Sequence, residues 1–520
     1  MILQRLGNRG LYLGELFAEA ALRNPHGLVM LNHRLDVAPE LGTTITVADC
    51  ARVVEGLAVA LRAAGVGAGA KVAIHKSDGF DIFLLACAVN RAGGVPVCLS
   101  PALTGETVGE LLTRCAGPFL VTDEATLVER LDAGVRGRAR AVLVVAGEVE
   151  GTTPLRPDTS RPLDYTRPDR HQPMLVTHTS GTTGVPKLVV HTAWTMRARY
   201  RPQAAGARLL LRGREAVAIQ VSFVHSRLVT ALAVSLRRGF PLVILRDSPA
   251  ADNVGLLARF RPGVFEAHPN ALIEWEELAE HPAAPLRNLT LLSTTFDAVH
   301  PRTVLALLAA SRRRFPLHVQ LYGQSEIGPT VVRLSTKFRK ATADWRCVGY
   351  AFPGATDVRV VERDGRRATR AAPGPVQALS DGRAVTYLEE DDRYHRQVDG
   401  RWWAMGDVGY RSRWGCLHLS DREVDLIPGI DSTLRVEDEL LARMDSLAEV
   451  VLVRDERQRP VPVVVTRDER PLDRAAWERA VAGLPTLCEP IQLPMRRLPR
   501  TGTGKTRRLE LSRMLFAVRS

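Results

Sequence analysis

His178-Thr179-Ser180-Gly181-Thr182-Thr183-Gly184-Val185-Pro186-Lys187 packs four hydroxyl side chains, two glycines and a lysine into ten residues. Glycines let successive backbone N–H groups converge on an anion, Ser and Thr hydroxyls add donors, and Lys187 supplies a full positive charge beside them. The run Met174-Leu175-Val176 before it and Leu188-Val189-Val190 after it are short and apolar, so the segment is predicted as a loop held between two strands. A Gly/Thr-rich turn of no special chemistry is the alternative. The added Ser, Pro and Lys favour a polyphosphate site.

Working outward, the 520 residues are too many for one core and enough for two or three packed subdomains. Seven cysteines (Cys50, Cys87, Cys98, Cys115, Cys347, Cys416, Cys488) are scattered without a C-x-x-C pair, and several lie in apolar runs. That pattern predicts reduced, buried thiols, with neither a zinc site nor a disulfide framework, and a cytoplasmic protein. No basic-then-apolar leader opens the chain, and no apolar run approaches the roughly 20 residues of a membrane span. The net charge of +13 raises nucleic acid as a partner. The arginines are spread along the whole length, however, with only short clusters such as Arg312-Arg313-Arg314, and no aromatic-interleaved basic stripe stands out. Neither a nucleic acid nor a membrane span is expected.

The only lysines are Lys71, Lys76, Lys187, Lys337, Lys340 and Lys505. A compact ammonium is not interchangeable with a planar guanidinium at a reacting centre, and Lys187 and Lys505 both fall in Gly/Thr loops. Two other patterns are decoys. Gly65-Val66-Gly67-Ala68-Gly69-Ala70 follows a helical run and precedes a strand, the reverse of a dinucleotide fingerprint. Gly504-Lys505-Thr506 resembles the end of a Walker loop, but Pro499 stands where its first glycine belongs.

Residues from about 10 to 170 alternate helical stretches (15–23, 47–64) with short strands (72–75, 94–99, 119–122, 141–145), the pattern of an α/β layered domain. The alternation resumes after the glycine loop through 216–220, 242–245, 289–292 and 319–322. Beyond Val348 the texture changes to short strands and Gly/Pro turns, and a compact segment begins near Arg422.

The loop Thr179 to Lys187 resembles the phosphate loop of the adenylate-forming superfamily of acyl- and aryl-CoA synthetases, departing from it at Leu188, where that family has glycine. Four further motifs follow in the family's order. Tyr322-Gly323-Gln324-Ser325-Glu326 resembles Tyr-Gly-x-Thr/Ser-Glu, Trp402-Trp403-Ala404-Met405-Gly406-Asp407 the ribose-gripping Trp-x-x-x-Gly-Asp, Asp421-Arg422-Glu423-Val424-Asp425 the hinge, and Pro499-Arg500-Thr501-Gly502-Thr503-Gly504-Lys505 the catalytic lysine loop.

The resemblance implies an α/β protein: a large N-terminal domain (1–422) of layered subdomains plus a small β-rich one, then a mobile α+β C-terminal domain (423–520). It implies ATP or AMP held by Thr179, Ser180, Gly181, Thr182, Thr183, Gly184 and Lys187, adenine against Tyr322, Gly323 and Gln324 and against Phe296, Asp297 and Ala298, and phosphate on Ser325. It further implies Mg²⁺ on Glu326, ribose on Asp407 and Arg422, a gate at His225 and a catalytic Lys505. A hard cation between carboxylate and phosphate, and two carboxylate oxygens on a cis-diol, are the chemistry such residues suit. The activity implied is that of an acyl- or aryl-CoA ligase, which adenylates a carboxylic acid and passes it to a thiol, CoA or a carrier-protein phosphopantetheine. A half-reaction enzyme and a non-catalytic ligand-binding relative are the alternatives. The expected acid is hydrophobic or aromatic, because the positions near 225–229, 295–298 and 322–328 carry few charges. Phe296 stands where the family usually has glycine against the adenine, which predicts a narrowed nucleotide slot. The post-hinge Ile427-Pro428-Gly429-Ile430-Asp431 lacks the family's Lys-x-x-Gly of the pantetheine tunnel.

Overall fold

The apolar runs on either side of the glycine loop form an antiparallel hairpin, Pro173–His178 with Leu188–Thr192, as their composition predicts. The computed structural model describes residues 9–160, 162–179, 185–295, 299–339, 344–362, 366–467, 469–500 and 506–516. Ser180, Gly181, Thr182, Thr183, Gly184, Phe296, Asp297, Ala298 and Lys505 lie outside the described residues.

The hairpin edges an eight-stranded sheet whose centre is parallel: Lys71–Ile74 lies between Val95–Cys98 and Phe119–Thr122. Val95–Cys98 is buried at every residue, as expected of a strand covered by helices on both faces. The helix Asp81–Arg91 is buried along nearly its whole length, and Val47–Ala63 starts at a Thr46/Asp49 capping box. That second helix ends at Gly65, whose φ of +92° few other residues tolerate. The glycine-rich decoy is therefore a helix-ending turn.

A second sheet has fourteen strands. Its parallel half runs Leu291–Thr294, Val264–Ala267, Val217–Gln220, Leu242–Ile244 and Leu28–Leu31. The strand Leu317–Gln324 joins it in parallel on one side and turns back antiparallel into Gly328–Thr336 on the other. From there the sheet continues without a break into the antiparallel strands Cys347–Ala351, Leu417–Arg422, Trp402–Arg411, Gly374–Ser380 and Thr356–Val360. The pairing direction changes at Gly328–Thr336, ahead of the change of texture beyond Val348, and both fall within one sheet.

The last part of the chain folds on a three-stranded sheet, Leu447–Arg454, Pro460–Thr466 and Ile491–Gln492, with helices Thr433–Arg443, Arg474–Val481 and Arg508–Phe516. Ile427 and Ile430, just after the hinge segment, already belong to its apolar core. Half-buried Arg508 donates from Nη2 to Glu437 Oε2 at 2.8 Å, a charge-assisted bond that ties the last described helix to Thr433–Arg443. No helix among the described residues is long and apolar enough to cross a membrane.

One sequence expectation is overturned. Cys347 and Cys416 form a disulfide across 6.4 Å between Cα atoms, although 69 residues separate them. Their strands pair antiparallel, with Cys347 opposite His418, so neighbourhood in the sheet brings together what spacing along the chain keeps apart. Cys50, Cys87, Cys98 and Cys115 are free and buried, and burial pushes the Cys98 thiol up to about 12 and Cys115 up to about 11.

Candidate active site

Lys187 leads the strand Leu188–Thr192, which pairs on its outer side with Thr386–Tyr387. Glu326 lies in the turn between Leu317–Gln324 and Gly328–Thr336. The three side chains meet: Tyr387 donates its hydroxyl to Glu326 Oε1 at 2.6 Å, and Lys187 Nζ donates to Tyr387 Oη at 3.0 Å and to Glu326 Oε1 at 3.2 Å. Glu326 is only 5% exposed. A carboxylate this buried needs both charge and hydrogen bonds, and Lys187 and Tyr387 supply them. The ends of the glycine loop are clasped beside this triangle, since Thr179 N–H donates to the Lys187 carbonyl at 3.0 Å and Lys187 N–H to Thr179 Oγ1 at 3.2 Å.

The turn that carries Glu326 is braced from behind. Arg199 is buried and donates to the Ser325 carbonyl at 3.0 Å, the Gly382 carbonyl at 2.7 Å and Ser226 Oγ at 3.1 Å, holding three loops with one guanidinium. Burial lowers Arg199 to about 10, which leaves it charged at neutral pH. Gly323 is required by close approach: a Cβ there would lie 2.0 Å from the Gly328 carbonyl oxygen.

On the opposite wall, Asp407 and Arg422 face each other across paired strands. Tyr322 donates its hydroxyl to Asp407 Oδ2 at 2.6 Å, and Arg422 Nε approaches Asp407 Oδ1 at 3.3 Å. Burial, followed by the Asp407 charge, raises the Tyr322 phenol well above its usual range, so it remains a donor. Gln324 is bonded to the strand that carries Asp407: its amide donates to the Met405 carbonyl and accepts from Trp403 Nε1 at 3.3 Å.

His225 caps the helix Ser226–Arg238. Its Nδ1 accepts the Arg227 N–H at 3.1 Å, so a neutral ring carries its proton on Nε2, which meets Ser325 Oγ at 3.1 Å. Burial pushes the ring down to about 3, and at neutral pH His225 is an uncharged donor to the Ser325 hydroxyl. Behind it, Ser222 N–H donates to His268 Nε2 at 2.8 Å, and Arg227 pairs with Glu266 through two nitrogens, Nη2 at 2.6 Å from Oε2.

Arg500 and Thr506, which flank residues 501–505, form a β-bridge, and Arg500 Nη1 donates at 3.0 Å to Asn270, two residues beyond His268. Arg302 bonded to Asp445 at 3.1 Å and Arg467 paired with Glu276 at 3.0 Å also join the C-terminal part to the rest.

The structure therefore brings together Thr179, Lys187, His225, Tyr322, Gly323, Ser325, Glu326, Asp407 and Arg422. It adds Tyr387 and Arg199, which the sequence reading missed. Tyr387 stands in Val385-Thr386-Tyr387-Leu388, which carries no motif, and Arg199 is one of many arginines on its helix.

A family profile described as AMP-binding enzyme matches residues 17–387. The chain belongs to this family. Among relatives of this AMP-binding enzyme, the 3-amino-2-hydroxy-4-methoxybenzoate diazotase of Streptomyces cremeus is 44% identical over 536 residues, covering 98% of this chain and 97% of that protein. The 3-aminoavenalumate diazotase of a Streptomyces species is 26% identical over 436 residues, covering 79% of this chain and 74% of the other. Among solved structures, an anthranilate CoA ligase in complex with anthranoyl-AMP superposes with a TM-score of 0.81 at 17% identity, covering 98% of this chain and 99% of that one. The α/β architecture and the adenylate-forming family expected from the motifs both hold, and the protein is an adenylate-forming enzyme. Transfer to CoA is a narrower statement than these comparisons carry.

Proposed function

We propose that this AMP-binding enzyme is an ATP-dependent diazotase that activates nitrite as an adenylate and delivers its nitrogen to an aromatic amine of the aminohydroxybenzoate class. The observation that carries this reading is the 44% identity to a diazotase along 98% of the chain, far beyond the likeness to the CoA ligase, which is one of fold. The site is compatible with it. A diazo group needs a second nitrogen at the nitroso oxidation level, and nitrite supplies one as an oxyanion able to attack phosphorus as a carboxylate does.

A nitrite oxygen bonds to the α-phosphorus as the bond to pyrophosphate breaks. The amine lone pair then attacks the nitrosyl nitrogen, and AMP leaves with the electrons of the N–O bond. The amine loses a proton, and the N-nitroso product tautomerises, is protonated on oxygen and loses water to give the diazonium ion.

In this reading Lys187 and the loop Thr179 to Gly184 hold the polyphosphate, Asp407 and Arg422 hold the ribose, and Tyr322, Gly323 and residues 296–298 flank the adenine. Gln324 contributes its backbone, since its side chain serves Met405 and Trp403. Ser325, held by the His225 donor, meets the α-phosphate. The hard oxygens of Glu326 suit Mg²⁺, which when bound would neutralise phosphate charge. Lys505 reaches the reacting oxyanion, with the domain boundary and hinge at 422/423.

Incubation with ATP, Mg²⁺, ¹⁵N-nitrite and a panel of aminohydroxybenzoates tests the proposal by mass spectrometry. AMP release that depends on nitrite, with ¹⁵N in the product, is expected. AMP release from an aryl acid without nitrite, with a thioester formed on CoA or a holo carrier protein, would instead establish the thiol ligase that the motifs suggested.

A further inference from the structure

Away from the adenylate site, Cys347 Sγ, Cys416 Sγ and a ring nitrogen of His418 all lie within 4.8 Å of one another. Both cysteines are 7% exposed. The imidazole is fixed from two sides. Asp344 Oδ2 accepts from His418 Nδ1 at 2.8 Å, and the ring stacks on Tyr410 with centroids 4.8 Å apart and planes 16° from parallel.

A disulfide requires neither an imidazole nor a carboxylate behind it. A metal site uses both: a carboxylate bonded to one ring nitrogen holds the imidazole and fixes its proton there, leaving the lone pair of the other nitrogen for an ion. Two sulfurs and one imidazole are soft and borderline donors, a set that selects Zn²⁺ over Mg²⁺ and leaves the fourth position to solvent.

We propose that Cys347, Cys416 and His418, with Asp344 behind the histidine, form a Zn²⁺ site when the Cys347–Cys416 bond is reduced. Two thiols of the glutathione class reduce the bond, leaving as their own disulfide and giving two cysteine thiols. Zn²⁺ then displaces the two thiol protons as both sulfurs bind. Oxidation and metal binding compete for the same sulfurs. The site would pin the strands Cys347–Ala351 and Leu417–Arg422 beside Arg346, whose Nη1 donates to Ser432 of the C-terminal part at 2.6 Å.

The test uses the full chain, reduced with a phosphine, stripped with a chelator and titrated with Co²⁺ alone. Thiolate-to-cobalt charge-transfer absorption saturating at one ion per chain, and bleached by added Zn²⁺, is expected. Cys347→Ser should abolish the band, and Cys488→Ser should leave it intact. Asp344→Asn keeps all three ligands and should weaken Co²⁺ affinity by roughly tenfold or more. A reduced wild type without the band would overturn the proposal, as would a band unchanged in Cys347→Ser. A Cys347–Cys416 bond that survives the phosphine, shown by thiol labelling of the native protein, would overturn it too.

Discussion

Tyr387→Phe isolates one hydroxyl at the centre of the site while keeping the ring, which packs edge-on against Tyr394 and Trp403. That hydroxyl donates to Glu326 at 2.6 Å and accepts from Lys187 at 3.0 Å. Glu326 keeps its 3.2 Å contact with Lys187, so the buried carboxylate is not stranded. What are lost are two hydrogen bonds to charged groups, one given to Glu326 and one accepted from Lys187; at about 1.5–3 kcal/mol for one such bond, the loss is at least roughly tenfold in an equilibrium or rate. If the hydroxyl holds Glu326 in position for magnesium, the loss should be read as a higher Mg²⁺ requirement and a lower kcat/KM for ATP in pyrophosphate release. The melting temperature should change little, because the ring and the ion pair remain. Pyrophosphate release measured across a Mg²⁺ series gives both quantities. Wild-type kcat/KM with an unchanged Mg²⁺ dependence would refute the reasoning and reduce Tyr387 to a packing residue.

Asp407→Ala removes the acceptor shared by Tyr322 and Arg422 and should weaken AMP binding by about 2 kcal/mol; equal affinity by calorimetry would take Asp407 out of the ribose site. Lys505→Ala should cut nitrite-dependent pyrophosphate release by roughly a hundredfold or more while a preformed adenylate is still consumed, and undiminished release would reject the role given to this lysine. Stability should fall on mild acidification. Burial pushes His75 from 6.5 to about 4 and His318 to about 3, so the unfolded chain binds protons that the folded one refuses, and stability present above pH 6.5 is lost as pH falls toward 4. Asp421 acts in the opposite sense: burial raises it from 3.8 to about 6, so its contribution is full below 3.8 and fades as pH rises through 6, offsetting part of the loss. Urea midpoints flat from pH 7 to 5 would contradict the balance.

The motifs were legible because each depends on residues close together in the chain: the glycine loop with Lys187, the hairpin with Tyr322 and Glu326, and the strand bearing Asp407. Strand-and-helix alternation likewise follows from local periodicity. Pairing across the sheets was not legible. Tyr387 reaches Glu326 only because its short strand lies on the outer edge of the Lys187 strand, and Cys347 meets Cys416 through a register between strands. Gln324 shows the complementary limit, since a residue inside a nucleotide motif gives its side chain to Met405 and Trp403. The acceptor of the activated group was not legible either, because the phosphate, metal and ribose contacts need not differ between a thiol ligase and a diazotase.

The unbroken fourteen-stranded sheet has a consequence for the fate of an unstable intermediate. Tyr322 and Gly323 lie on one of its strands, Glu326 in the adjoining hairpin turn, and Asp407 and Arg422 on two others, so apart from Lys187, which leads a strand of the eight-stranded sheet, and Thr179 bonded to it, the described residues of the proposed nucleotide site sit on one continuous hydrogen-bonded body. In the proposed reading, a swing of the last hundred or so residues about the hinge at 422/423 would exchange the groups facing the phosphorus while the AMP moiety stays moored. A mixed anhydride of nitrous acid hydrolyses readily in bulk water. In the proposed reaction, holding its adenylate half on that frame would let the second reactant be brought to it, so that the reactive species is spent where it is made.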